Sequence, residues 1–243
     1  MSFDNKLALV TGGGIRLGRA IALALADAGA NVAVHYSHSE NDAKSAVAAI
    51  RKTGRKSESF RADLSREGEP ESLIDAVVSR MGAPDILVNS AAIMQRTPIG
   101  EVTYGNWEAT MSLNLRAPFF LSQAAAKVMR AKRGVIINIA DLAAFETWPG
   151  YIPHSISKAG LVQMTRALAH ALAPEIRVNA IAPGAVLLPE GCDEASRKRL
   201  EETTPLGRLG DPKDVTDALL YLVGAEYVTG ETIIVDGGRH VRR

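Results

Sequence analysis

A chain of 243 residues is long enough to bury a full hydrophobic core as one α/β domain. Its 28 basic and 27 acidic residues are interleaved, and the net charge of +1 gives no electrostatic argument for binding nucleic acid or an anionic membrane. The single cysteine, Cys192, excludes an intramolecular disulfide and a zinc site built from cysteines. No apolar run approaches the roughly 20 residues that span a bilayer, so we expect a cytoplasmic protein.

Short apolar runs alternate with longer stretches of helical periodicity. Strands are predicted at 7–10, 31–36, 57–61, 86–89, 135–139, 176–181 and 232–235. Helices are predicted at 17–28, 40–51, 71–81, 107–129, 151–173 and 212–223. This alternation requires right-handed crossovers and a parallel sheet covered on both faces. We therefore predict a single doubly wound, Rossmann-type α/β domain of about seven strands over residues 1–243.

One segment interrupts this alternation. Residues 187–205 contain Glu190-Gly191 and a short charged helix. Such an insertion above a sheet acts as a lid over a substrate in some proteins and is a plain surface excursion in others. Both interpretations stay open.

A glycine-rich turn follows the first strand and opens the first helix. There, glycines allow a sharp turn, and the free N–H groups of the helix start can meet the pyrophosphate of a dinucleotide. Its spacing is Thr-Gly-x-x-x-Arg-x-Gly instead of Gly-x-Gly-x-x-Gly. The predicted contacts in this turn are Thr11, Gly12, Arg16, Leu17 and Gly18.

The end of the second strand carries no acidic residue. An acidic side chain there would bind the ribose 2′-hydroxyl of NAD and repel a 2′-phosphate. Arginine offers a charged fork for phosphate, so nearby Arg16 favours NADP(H). The less favoured alternative is a solvated Arg16 at the helix start in a merely polar turn. Asp63-Leu64 could face the adenine ring or only cap a helix. The strand end consists of His35, Tyr36, Ser37, His38 and Ser39.

These motifs, together with several later ones, resemble the short-chain dehydrogenase/reductase family over essentially the whole chain. Thr-Gly-x-x-x-Arg-Leu-Gly followed by His-Tyr-x-x-Ser is most similar to the NADPH-dependent pteridine reductase branch. The resemblance implies that Asn114 helps to hold a proton-relay water and that Lys158 holds the nicotinamide ribose. The later motifs are Asn89-Ser90-Ala91-Ala92, which would line the adenosine side, Asn114, Lys158, Pro183-Gly184 and the closing stretch 228–238.

Two residues depart from the family pattern. His154 stands four residues before Lys158, where the family has the tyrosine that donates a proton. Met94 replaces the aromatic residue on which a pteridine ring stacks in that branch. The pteridine reductase branch has aspartate at the family's serine position, and Asp141 stands there, 13 residues before His154.

Hydride transfer to a C=O or C=N bond leaves negative charge that an acid must neutralise. Lys158 and the nicotinamide cation favour neutral imidazole at His154, whereas a carboxylate from Asp141 would stabilise imidazolium. Asp141, His154 and Lys158 are therefore the predicted catalytic residues, with Asn114. Alternatively, Asp141 and His154 only satisfy one another in a disused pocket. Tyr151 is another candidate acid, but its spacing of seven from Lys158 does not put both on one helix face.

The substrate pocket is predicted around Met94, Trp148, Tyr151 and Leu187. We expect an NADP(H)-dependent reductase of carbonyl or imine compounds (pterin-like, quinone or keto) without a metal. The alternative is an inactive NADP(H)-binding sensor or scaffold. The helices 107–129 and 151–173 are rich in Ala and Leu on more than one face, which favours a homotetramer or homodimer, as the resemblance also implies.

Overall fold

The computed structural model describes residues 2–188 and 191–241. Over these residues, seven strands form one parallel sheet in the order β3-β2-β1-β4-β5-β6-β7. The Rossmann-type α/β prediction is thereby confirmed, and only the sixth strand differs from its predicted bounds. The strands are β1 Leu7–Val10, β2 Asn31–Tyr36, β3 Ser57–Arg61, β4 Ile86–Asn89, β5 Val135–Ile139, β6 Arg177–Pro183 and β7 Thr232–Val235.

Helices cover both faces of the sheet. One buried cluster joins the sheet to α1, α2 and α8, and a second joins it to α3, α5 and α6. The central strands β1 and β4 are wholly buried, as expected for a parallel sheet with helices on both sides. The helices are α1 Arg16–Asp27, α2 Glu40–Lys52, α3 Glu69–Met81, α4 Tyr104–Met111, α5 Ala117–Met129, α6 Ile152–Leu172, α7 Glu194–Glu202 and α8 Pro212–Gly224.

The prediction of one continuous helix over 107–129 is wrong. A π-helical turn, Ser112–Arg116, separates α4 from α5, and the Ala117 N–H donates to the Ser112 carbonyl five residues earlier. Pro118 explains the break, because it has no N–H group and its ring would clash with the carbonyl of Asn114 in a regular α-helix. The wider turn accommodates this proline and carries Asn114.

The segment after β6 contains the short charged helix predicted there, α7, whose start is capped by the Asp193 carboxylate. Pro189 and Glu190, which belong to the predicted insertion, lie outside the described residues. None of the helices in the described ranges is long and apolar enough to cross a membrane.

Candidate active site

The glycine turn between β1 and α1 is held rigidly to two neighbouring strands. The hydroxyl of Thr11 accepts hydrogen bonds from the Ser90 and Ala91 N–H groups at 2.9 and 3.0 Å, just after β4. A Cβ at Gly18 would lie 2.2 Å from the Gly12 carbonyl oxygen, and Gly12 itself has a positive φ of 64°. The backbone at both positions therefore requires glycine.

The start of α1 fits the pyrophosphate of a dinucleotide. No capping hydrogen bond comes from the side chain of Ile15, the N-cap residue, and the first turn contains no acidic residue. The positive end of the helix dipole and its N–H groups thus remain available to an anion at the carboxyl edge of the sheet. Leu17 lies in this first turn and packs against the core.

His35, near the end of β2, supports the glycine turn. Its Nδ1 accepts from the Gly12 N–H at 3.1 Å, and its Nε2 lies 3.1 Å from the Ala62 carbonyl oxygen. These partners require the neutral tautomer with the proton on Nε2. Burial lowers the pKa of His35 to about 4, so the ring stays neutral near pH 7. His35 therefore fixes the backbone of the glycine turn, and it can influence a bound nucleotide only through the position of that turn.

The predicted 2′-phosphate region lies between β2 and α2. Tyr36, Ser37 and Ser39 are partly exposed and His38 is exposed, and the Ser39 side chain does not cap α2. Arg16, with a positive φ of 47°, directs its guanidinium elsewhere, to the carbonyl oxygens of Leu187 and Leu188 at 2.9 and 3.1 Å. In this arrangement Arg16 connects the glycine turn to the start of residues 187–205, which we call the lid segment.

Asp63 and Leu64 have local roles in the structure. The Asp63 carboxylate accepts from the Ser65 hydroxyl at 2.6 Å and pairs with Arg66 at 3.1 Å. The Ser65 hydroxyl is the main cause of the lowered pKa of Asp63. Leu64 is buried in the core. Asp63 remains partly exposed at the edge where an adenine ring would lie.

Asn89 belongs to a buried polar ladder beneath the site. Its amide donates to the Asn138 side chain at 2.8 Å, and Asn138 donates to Thr165 of α6 at 2.9 Å. The ladder fixes the carboxyl ends of β4 and β5 against α6. Ala91 lies beside the glycine turn, 3.2 Å from the position of a Cβ on Gly12.

Pro183 and Gly184 end β6 at the same edge of the sheet. The Gly184 N–H donates to the Val235 carbonyl at 2.9 Å, and a Cβ on Gly184 would lie 2.8 Å from that of Asp236. The close approach of this loop to β7 therefore requires glycine here.

His154 is buried at the start of α6, with a hydrogen-bond acceptor beside each ring nitrogen. Nδ1 lies 3.2 Å from the Ile93 carbonyl oxygen, and Nε2 lies 3.6 Å from Oδ2 of Asp141. The His154 side chain is 3% exposed and that of Asp141 is 24% exposed. Among the described residues no hydrogen-bond partner lies at normal distance from Nε2, so this atom is the one left to exchange a proton with a substrate.

Asn114 holds this arrangement through the backbone of Ile93. Its Oδ1 accepts from the Ile93 N–H, and its Nδ2 donates to the Ile93 carbonyl, both at 2.9 Å. The other Nδ2 hydrogen has the Ser157 hydroxyl as acceptor at 3.2 Å, which leaves the 3.4 Å approach to His154 Nδ1 as the weakest contact. Asn114 thereby fixes the carbonyl that faces His154.

Lys158 is buried one turn after His154. Its ammonium group donates to the Ile139 carbonyl at 2.8 Å, at the end of β5. Burial lowers the pKa of Lys158 to about 8, and the nearby Asp141 carboxylate acts in the opposite direction. Asp141 also accepts the Ala143 N–H at 2.8 Å, which fixes the carboxylate between His154 and the loop after β5.

The predicted pocket residues lie on three separate segments. Trp148 and Tyr151 form an edge-to-face pair with ring centroids 6.2 Å apart just before α6. Met94 and Leu187 are exposed, on the loop after β4 and at the start of the lid segment. The Thr97 N–H donates to the Gly150 carbonyl at 2.8 Å, which joins the Met94 loop to the aromatic pair.

The sequence did not predict four residues that shape this region. The carbonyl of Ile93 has no side-chain signature, and Ser157 resembles any buried helix serine. Glu146 accepts the indole N–H of Trp148, and Arg239 reaches Glu146 from the far end of the chain through a tertiary contact. The carboxylate two residues before a tryptophan, in Glu146-Thr147-Trp148, is the one local signal that could have been used.

Comparison with known proteins supports one family assignment. A family described as "Enoyl-(Acyl carrier protein) reductase" matches residues 14–240. The 3-oxoacyl-[acyl-carrier-protein] reductase of Synechocystis sp. is 34% identical over 238 residues, covering 96% of each chain.

Solved structures agree with that assignment. A putative short-chain alcohol dehydrogenase from Sinorhizobium meliloti is 35% identical with a TM-score of 0.94, covering 100% of this chain and 99% of its own. FolM alternative dihydrofolate reductase 1 from Brucella canis, complexed with NADP, is 32% identical with a TM-score of 0.90, covering 98% and 96%. The chain thus belongs to the short-chain dehydrogenase/reductase family.

Proposed function

We propose that the protein is an NADP(H)-dependent reductase of carbonyl or imine compounds that uses an Asp141–His154 pair as its acid, with Lys158 and Asn114. The observation that carries this proposal is the environment of the His154 ring, which has the Ile93 carbonyl at Nδ1 and the Asp141 carboxylate 3.6 Å from Nε2.

The residues present fit the cofactor. NADPH, when bound, supplies the hydride. The uncapped start of α1 would hold its pyrophosphate, and the Asn89–Ala91 turn and Pro183-Gly184 would flank the nucleotide. Lys158 would donate to the nicotinamide ribose while it is charged, which its pKa of about 8 allows at neutral pH.

The Asp141–His154 pair provides the proton. As negative charge develops on the substrate oxygen or nitrogen, the protonated His154 ring gives its Nε2 proton to that atom and becomes neutral imidazole. Asp141 lies 3.6 Å from Nε2 and is the more exposed member of the pair, so the carboxylate and the ring edge meet the substrate on the same side. Asn114 prevents the ring from turning by fixing the Ile93 carbonyl.

A preference for NADP(H) over NAD(H) is supported by charge. The end of β2, residues 35–39, has no carboxylate, and Arg16 can leave the carbonyl oxygens of the lid segment to bind a 2′-phosphate. The FolM structure from Brucella canis is complexed with NADP.

The substrate class follows from the chemistry of relatives and of the pocket. The Synechocystis relative is named for reduction of a 3-oxoacyl group, a ketone, and FolM for reduction of dihydrofolate, a pterin. The aromatic pair Trp148–Tyr151 suits a flat or conjugated substrate, and Met94 adapts to irregular shapes. Diketones, quinones and pterins are therefore the compounds to test.

NADPH oxidation with this panel, beside a titration of NADPH binding by fluorescence, tests the proposal. Turnover of any member supports a reductase. Tight NADPH binding with no turnover of any of them would favour the alternative function, a sensor or scaffold that responds to NADP(H).

A homotetramer or homodimer remains our proposal for the assembly, in a cytoplasmic protein. Phe119, Phe120 and Ile156 are exposed on α5 and α6, and a partner's helices would cover them. Light scattering at micromolar concentration should give a mass two or four times that of the chain. A purely monomeric mass would contradict the proposal.

A further inference from the structure

The turn at the end of the described chain, residues 236–241, lies against the base of the lid. We call it the C-terminal turn. The Leu206 N–H donates to the Gly237 carbonyl at 3.1 Å, and a Cβ on Gly237 would lie 2.7 Å from the Thr204 side chain. The chain after α7 therefore rests directly on the C-terminal turn.

Arg239 of this turn links two other regions. Its Nη1 donates to the Thr203 hydroxyl at 3.2 Å, at the end of α7. Its Nε lies 4.0 Å from Oε2 of Glu146, in the loop after β5, and the two side chains are only 14% and 16% exposed. A charge pair so shielded from water is screened less than one on the surface, so each partner constrains the other.

Glu146 transmits this constraint to the substrate side. The same Oε2 accepts the indole N–H of Trp148 at 2.9 Å. Trp148 packs edge-on against Tyr151, whose N–H donates to the Trp148 carbonyl at 2.9 Å directly before α6 and His154. A continuous set of contacts thus runs from Thr203 through Arg239 and Glu146 to the aromatic wall.

We propose that Arg239 is a positioning residue for substrate selection, which fixes the Trp148 ring through Glu146 and couples that ring to the end of the lid helix. This inference rests on the proposed function, because it assigns Trp148 to the substrate wall. Arg239 acts through Glu146 and is not itself a catalytic residue. Its loss changes the width of the pocket and leaves the Asp141–His154 pair in place.

Trp148 itself provides a readout that needs no substrate. The chain contains two tryptophans, so the Trp107→Phe background leaves Trp148 as the only one. In that background we expect Arg239→Met and Glu146→Gln to shift Trp148 emission to the red and to increase its quenching by acrylamide. Arg239→Lys, which retains the charge, should recover part of the parent signal.

Arg208→Met is the matched control. Arg208 lines the same cavity of about 560 Å³ as the C-terminal turn but pairs with Asp214 at 2.8 Å. It should leave Trp148 emission unchanged. Unchanged emission in both Arg239→Met and Glu146→Gln, or equal shifts in Arg239→Met and Arg208→Met, would overturn the inference.

Steady-state kinetics on a compound that the parent reduces add a second test. Arg239→Met should raise KM about tenfold with a smaller change in kcat, because Glu146 loses the charge that holds it and no longer fixes the Trp148 ring in the substrate wall. A lowered kcat with unchanged KM would contradict a role in selection. If no compound is reduced, the proposed reductase function fails, while the fluorescence comparison still decides the position of Trp148.

Discussion

The cofactor edge and the substrate side of this site are built in different ways. At the cofactor edge, short bonds within the protein fix each element, such as those of Thr11 to the turn after β4 and of His35 to Gly12. On the substrate side, a 3.6 Å contact joins Asp141 to His154, and a 4.0 Å contact joins Arg239 to Glu146. Backbone requirements define the first region, and pairs of distant side chains define the second. The substrate side should therefore tolerate replacement of its reactive side chains more readily than the cofactor edge.

The largest effect should come from replacing His154. His154→Phe should keep NADPH binding but reduce turnover by about 10²–10⁴-fold, equivalent to about 3–5 kcal/mol of barrier, because the proton donor is lost. His154→Tyr, which restores the family's usual acid beside Lys158, should keep or raise activity. Steady-state kinetics and NADPH titration measure both.

Tyr151→Phe is the control for this series and should have a much smaller effect. If His154→Phe turns over a substrate as fast as the parent, the acid lies elsewhere and Tyr151 becomes the next residue to test. Activity seen only in His154→Tyr would identify the natural chain as a cofactor-binding protein without chemistry.

The rigidity of the cofactor edge depends on a neutral His35. Burial holds the pKa of His35 at about 4 in the folded protein, below the 6.5 of a free imidazole, so the unfolded chain binds more protons between these values. The contribution of neutral His35 to folding stability is fully present above about pH 6.5. It is lost as the pH falls towards 4, which lowers the free energy of unfolding by about 3 kcal/mol.

Urea denaturation at neutral pH and near pH 4 measures this loss. His35→Gln removes the titrating group and should flatten the pH dependence, whereas His38→Gln, at an exposed position, should not. The same slope in His35→Gln as in the parent would assign the acid sensitivity to other groups.

Arg16 connects the two regions, so its replacement tests whether they are separate. Arg16→Ala should weaken NADPH binding about tenfold to a hundredfold, and NADH binding much less, because charged hydrogen bonds to the 2′-phosphate are lost. Arg19→Ala is a control on the same helix, since Arg19 bonds to α2. Equal losses for both cofactors would leave Arg16 as a link to the lid segment only.

The smallest effect is a shift in pH dependence. Asp141 raises the pKa of Lys158, which burial lowers to about 8. In Asp141→Asn, Lys158 loses its charge at a lower pH. This change moves the alkaline decline of kcat/KM to lower pH. Asp63→Asn is the control, and an unchanged profile in Asp141→Asn would separate Asp141 from the acid.

The sequence was sufficient for the features that depend on local patterns. An apolar run predicted a central strand such as β1, since a strand buried on both faces is apolar throughout, whereas the edge strand β3, Ser-Glu-Ser-Phe-Arg, gave a weaker signal. The sequence analysis missed the π-helical turn around Asn114, although Pro118 indicated a break in the regular α-helix. The Asp141–His154 pair was predicted, but the contacts of His154 with the Ile93 carbonyl and of Glu146 with Arg239 were not, because these residues meet only after the chain has folded.

The number of residues in the π-helical turn determines where the Asn114 side chain points. An α-helix rotates by about 100° per residue, so one residue more or fewer before Pro118 would turn the Asn114 amide away from Ile93. The Ile93 carbonyl would then lose the bond that aims it at His154. Deletion of Leu113 or Leu115 should therefore disable proton transfer while leaving every catalytic side chain in the sequence.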